Sequence, residues 1–112
     1  VEEPIHLAHA LTRTANQHPR AVILVDCLTL WVTNCLLHEG DVWQDEKVKL
    51  IDCLGQLAQP VVLVSNEVGQ GVVPMGQLSR RFVDESGWLH QDIAAQARHV
   101  TLVVAGLPLV LK

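Results

Sequence analysis

Apolar positions first recur at helical spacing. Ile5, Ala8, Leu11 and Ala15 fall on one face of a stretch that runs to Asn16. Pro4 suits the first position of that helix, and Glu2 and Glu3 suit the positive end of its dipole. Beyond His18 and Pro19 the spacing changes. Residues 21–25 (AVILV) are a continuous β-branched-rich run closed by Asp26. Thr29 is then predicted to cap a helix carrying Leu30, Asn34 and Leu37, which Gly40 stops. A further helix is predicted over 45–58, burying Val48, Ile51 and Leu54. Val61–Val64 reads as a second strand. Residues 77–97 read as a long helix with Leu78, Phe82, Leu89, Ile93 and Ala97 inward and a bend at Gly87. A third strand is predicted over 100–105, a turn at Gly106, Leu107 and Pro108, and a short fourth strand over 109–111.

Strands that alternate with helices, and are apolar throughout, predict an α/β fold: a mostly parallel sheet with helices on both faces. At 112 residues the whole chain, 1–112, is expected to form a single domain. No repeat or linker interrupts it. In such sheets ligands bind outside the carboxyl ends of the strands. Asp26 ends one strand and Ser65, Asn66 and Glu67 end the next, so both polar clusters are expected on one ligand-facing edge. Gly69 and Gly71 follow, where the backbone can turn sharply or approach a ligand closely.

Composition narrows the class. The chain is 49% hydrophobic and 18% charged, as an ordered globular chain is, and its formal charge of −4 gives no basic footprint for nucleic acid. No apolar stretch reaches the length of a membrane span, and no signal peptide is present. Cys27, Cys35 and Cys53 are an odd number without paired spacing, which fits reduced thiols and a cytoplasmic location. The chain opens on Val1 without an initiator Met, as expected of a piece of a longer protein.

An acid closing an apolar strand, VILVD, is the layout in which P-loop NTPases hold Mg²⁺ beside the phosphates. Asp also caps helices and starts turns, so this segment alone leaves both readings open. Asn66 stands where such folds often sense the terminal phosphate; the alternative is an Asn-Glu turn closed on its own backbone. No GxxxxGK[ST] loop occurs in the chain. His6 and His9 lie one helical turn apart but share no third ligand, and no CxxC or HExxH is present. They read as surface or helix-end residues, as do His38 and His99. Trp31, Trp43 and Trp88 read as packing residues.

Four stretches, VILVDCLTLWVTNCL, VVLVSNEVGQGVVP, RRFVDESGWLHQDIAAQA and VTLVVAGLPLVLK, together span nearly the whole chain. In order and spacing they resemble the bifunctional adenosylcobinamide kinase / adenosylcobinamide-phosphate guanylyltransferases of cobalamin biosynthesis. The Asp-Cys-Leu-Thr-x-Trp and Asn-Glu-Val-Gly-x-Gly-x-Val-Pro signatures are specific in combination. The resemblance implies a RecA-like P-loop NTPase fold and two activities. One phosphorylates adenosylcobinamide with ATP or GTP. The other transfers GMP from GTP, through a guanylylated histidine, to give adenosylcobinamide-GDP. It implies Mg²⁺, held by Asp26, and a homotrimer. Glu2 and Asp26 match nucleotide contacts of the family, and Asn66 and Glu67 match its Asn-Glu signature. The family's first third, with the P-loop and the guanylylated histidine, has no counterpart here, and none of the six histidines takes that role. This chain alone is therefore expected to be inactive. Val83 and His90 stand where relatives often have Arg and Asn. Two alternatives are another RecA-like P-loop kinase or nucleotidyltransferase, and a non-catalytic nucleotide-binding remnant.

Overall fold

The computed structural model describes residues 2–67 and 76–112; Gly69, Gly71 and Pro74 lie outside them. In chain order the elements are α1 (Leu7–Gln17), β1 (Ile23–Asp26), α2 (Leu28–Leu37), α3 (Trp43–Gln56), β2 (Val61–Val64), α4 (Gln77–Gln96), β3 (Thr101–Val104) and β4 (Leu107–Val110). β1 and β2 pair in parallel, from Ile23 opposite Val61 to Asp26 opposite Val64. Successive side chains on a strand point to opposite faces. Ile23, Val25, Val61 and Leu63 accordingly face the helical core, while Val22, Leu24, Val62 and Val64 are exposed.

Among the described residues the helices thus cover one face of this pair, not both as expected. A strand apolar on both faces has the same sequence whether one face or two are covered, so the pattern could not decide. The third strand also differs from expectation. β3 does not extend the parallel pair; it turns back on β4 as an antiparallel hairpin in its own sheet. The turn is Ala105 and Gly106, at φ 51° and 75°, one residue earlier than predicted. Two left-handed residues make the two-residue connection whose twist matches a hairpin. Pro108 then falls inside β4 opposite Val103, one step beyond the turn-closing pair, where an antiparallel ladder asks for no N–H.

The core gathers Leu7, Leu11, Ile23, Trp31, Val32, Cys35, Trp43, Leu50 and Leu89. Trp31 and Trp43 meet edge to face, with ring centroids 5.1 Å apart, the arrangement aromatic quadrupoles favour. Trp88, also expected to pack, is instead 53% exposed. α1 starts at Leu7 and not at Pro4, because the preceding carbonyls are engaged elsewhere. Pro4 O accepts from Asn34 Nδ2, and Ile5 O accepts from Trp31 Nε1 at 2.7 Å. Of the residues predicted inward on α3, Ile51 and Leu54 pack against the core and Val48 does not. Leu30, Leu37 and Val48 are exposed, whereas Trp31, Val32 and Cys35 of α2 and Trp43, Glu46 and Leu50 of α3 are buried. α4 runs through Gly87 without a break; Leu89 is buried, Phe82 and Ile93 pack against the core, and Leu78 is exposed. None of these helices is long and apolar enough to cross a membrane.

Candidate functional site

Parallel pairing decides where the polar strand ends lie. Because β1 and β2 run the same way and close at Asp26 opposite Val64, Asp26 and residues 65–67 leave from one edge. Asp26 is exposed there. The chain enters α2 directly after it, with Cys27 in an extended conformation at the N-cap. Thr29, predicted as that cap, lies in the first turn, buried, and joins a polar cluster. Its hydroxyl is 2.8 Å from Cys27 Sγ and accepts from Asn66 Nδ2 at 3.3 Å; the same amide reaches Cys27 Sγ at 3.9 Å. Asn66 therefore spans from the β2 end to the residues just past β1.

The environment of the cysteines differs along α2. Burial works to raise the Cys27 thiol, but the Thr29 hydroxyl and the backbone N–H groups of Leu30 and Thr29 favour the thiolate and bring its pKa below the ordinary value. Cys35, one face deeper, is pushed up to about 12 by burial, reinforced by the carboxylates of Glu46 and Asp41. A helix N-terminus and a packed interior act in opposite directions on the same chemical group.

On the other side of the β2 end, Ser65 Oγ and His90 Nε2 of α4 are 2.6 Å apart. Burial lowers the pKa of His90, and the carboxylate of Glu67 acts in the opposite direction. The edge thus carries one exposed carboxylate at Asp26, a second at Glu67, and amide, hydroxyl and thiol groups between α2 and α4.

The structure brings Asp26, Asn66 and Glu67 to this edge, as the strand ends required. Glu2 is exposed and, among the described residues, makes no hydrogen bond or ion pair; its segment docks through Pro4 and Ile5 on Trp31 and Asn34. Val83 and His90 both lie on α4, and of the two His90 reaches the edge. His6 lies 3.3 Å from the buried carboxylate of Glu46, and among the described residues no three His, Cys, Asp or Glu side chains converge. A depression lined by Gln44, Lys47, Val48, Ile51, Asp52 and Asp92 belongs to α3 and α4 alone and shares no residue with the edge. Ser65 was expected on this edge with Asn66 and Glu67, but Cys27 and Thr29 were not expected there, nor was the Ser65–His90 contact. For Cys27 and Thr29 the available signal was their place directly after a strand-end acid. For the contact it was the parity of Ser65, which continues the inward row Val61, Leu63.

Residues 1–111 match the family described as cobinamide kinase / cobinamide phosphate guanyltransferase. The chain is 53% identical to the bifunctional adenosylcobalamin biosynthesis protein CobP of Pseudomonas aeruginosa, over all of its own length and 64% of that protein. It is 37% identical to the bifunctional adenosylcobalamin biosynthesis protein CobU of Escherichia coli, over 88% of its own length and 62% of the relative. The CobU protein of Salmonella typhimurium is 38% identical over the same shares. The chain therefore spans a little under two thirds of the length of these relatives.

Proposed function

Because the chain belongs to the cobinamide kinase / cobinamide phosphate guanyltransferase family, we propose that its β1–β2 edge is one wall of that activity's nucleotide site. The protein to which this wall belongs phosphorylates adenosylcobinamide with ATP or GTP and transfers GMP from GTP to adenosylcobinamide phosphate. The observation that carries this is the parallel register, which sets Asp26 and residues 65–67 on one edge with Asn66 reaching Thr29.

An exposed carboxylate at a strand end suits Mg²⁺, which is held by one or two carboxylates together with substrate phosphates and water. Asp26 would hold the ion, and the ion would neutralise charge on the transferring phosphate. Asn66 can donate an amide hydrogen bond to a phosphate or ribose oxygen while Thr29 fixes its rotamer. Glu67 can orient a hydroxyl or amine of the substrate. Glu2 contributes to nucleotide binding in this reading only through the family resemblance. The phosphate-cradling loop and the guanylylated histidine would come from the part of the family's length outside these 112 residues, and without them this span does not turn over. A homotrimer working in the cytoplasm completes the proposal; the three free cysteines suit that compartment.

The test is GTP-dependent turnover of adenosylcobinamide by a protein of the relatives' full length carrying these residues. Asn66→Ala and Glu67→Ala are expected to lower turnover at least tenfold, about 1.4 kcal/mol of barrier, with little change in melting temperature. A lower melting temperature with intact turnover would make the pair a structural turn.

A further inference from the structure

The last ladder pair of the parallel sheet is Asp26 opposite Val64, and residues 65–67 follow directly after it. Two side-chain bonds flank them. Asn66 reaches Thr29 of α2, and Ser65 reaches His90 of α4. Ser65 carries the inward parity of Val61 and Leu63, so its hydroxyl points toward the helices, where a polar group needs a partner. His90 supplies it from a helix that packs against α2 and α3. The next residue back, Leu89, is buried, and one turn back on the same face is the buried Ser86. The imidazole is thus held on the rigid side of the contact.

We propose that His90 is the positioning residue of this strand end: through Ser65 it fixes the backbone from which Asn66 and Glu67 project, and its protonation state sets how they are presented. The proposal rests on the nucleotide-wall reading for its functional consequence and on the geometry alone for its structural one. In the tautomer protonated at Nδ1, Nε2 accepts the Ser65 hydroxyl hydrogen. A second proton makes Nε2–H a donor, so Ser65 Oγ must accept and its own hydrogen must seek another acceptor. The bond persists but its polarity reverses, one side chain away from the peptide that leads into Asn66.

The charged groups around His90 leave few competitors for control of that proton. α2 carries no charged side chain. On α3, Lys47 pairs with Asp92 of α4 at 3.1 Å. Arg81 of α4 pairs with Asp41 at 2.8 Å. Glu85 of α4 accepts from Trp43 and Gln44 of α3. Glu67 is the carboxylate that acts on the ring, favouring its charged form against the opposing effect of burial.

The test follows the His90 ring and the amides of Ser65, Asn66 and Glu67 by NMR on the ¹⁵N-labelled 112-residue chain as pH falls from 8 to 5. A common midpoint, below the ordinary histidine value of about 6.5, is the expected result. His90→Asn keeps an amide for Ser65 but cannot titrate, so the amide shifts should vanish while the pH 8 positions stay close to wild type. His90→Ala should displace all three amides at every pH. A ring that titrates while these amides stay still, or a His90→Ala spectrum that leaves them in place, overturns the proposal. The functional arm is the pH–rate profile of a protein of the relatives' length, whose acid limb should flatten in His90→Asn. Failure of all GTP-dependent turnover would remove the nucleotide reading and leave the amide titration as the judge of positioning. Turnover with an acid limb unchanged in His90→Asn would remove the positioning role and leave the nucleotide reading standing.

Discussion

Two carboxylates mark two regions of this protein with opposite surroundings. Glu85 of α4 is buried between helices, accepting from Trp43 Nε1 at 2.7 Å and from Gln44 Nε2 at 3.1 Å. Asp26 stands exposed at the end of β1, beside the polar cluster of Cys27, Thr29 and Asn66. The helical region gives this buried carboxylate its donors internally, as burial in a low-dielectric interior demands. The strand-end region leaves acceptors and donors facing outward. The same residue class therefore serves stability in one place and is available for a ligand in the other. Burial and partners separate the roles, and charge alone does not.

The comparison breaks most readily at Trp43. Trp43→Ala opens a cavity in the fully buried core and takes from Glu85 its indole donor. A loss of about 3–5 kcal/mol is expected for the truncation, measured by urea denaturation. Trp43→Phe keeps most of the volume and removes the N–H, and should cost about 1–3 kcal/mol for an under-satisfied buried carboxylate. Equal small losses in both variants would show that the helical region is not held by this contact.

A smaller effect of opposite sign is expected at Ser86, whose buried hydroxyl has no partner among the described residues. Ser86→Ala should raise stability by about 1 kcal/mol, since it removes an unsatisfied polar group and favours helix. A destabilised variant would mean that the hydroxyl has a partner. Cysteine reactivity sharpens the contrast between regions without altering stability. Cys27, at the strand-end edge with its thiol pKa lowered, should be alkylated by iodoacetamide well before Cys35, which is buried and pushed up to about 12. Mass mapping of a time course decides this, and labelling of Cys35 first would place the interior at the wrong residue.

The smallest expected effect is a pH dependence. The folded-state pKa of His90 lies below its unfolded value, so the unfolded chain takes up that proton first as pH falls. The contribution of His90 to stability is present above about pH 6.5 and is lost progressively below it. His90→Asn should remove that part of the acid slope in denaturation midpoints. An unchanged slope would assign it to other groups.

Much of this architecture was legible before the coordinates. β2 was expected at Val61–Val64 and lies there, and the shared edge of Asp26 with residues 65–67 followed from two apolar runs ending in polar residues. Helix faces were less legible. α2 is apolar around almost its whole circumference, so no periodicity could choose Trp31, Val32 and Cys35 over Leu30 and Leu37. In α3 the buried Glu46 is offset by His6 and Lys49, partners that no polar–apolar pattern reveals. Glu2 was drawn to the site by resemblance alone; its segment packs through Pro4 and Ile5 on α2. The Ser65–His90 contact joins residues 25 apart in sequence through tertiary packing, and no motif encodes it.

The nucleotide wall itself is tested most directly at Asp26. In a protein of the relatives' full length, Asp26→Asn should melt within about 0.5 kcal/mol of wild type, as expected for an exposed side chain outside the core. Kinase and guanylyl-transfer rates should both fall at least tenfold, about 1.4 kcal/mol of barrier, with partial recovery as Mg²⁺ is raised. Unchanged rates at every Mg²⁺ concentration would contradict the account and reduce Asp26 to the residue that ends β1.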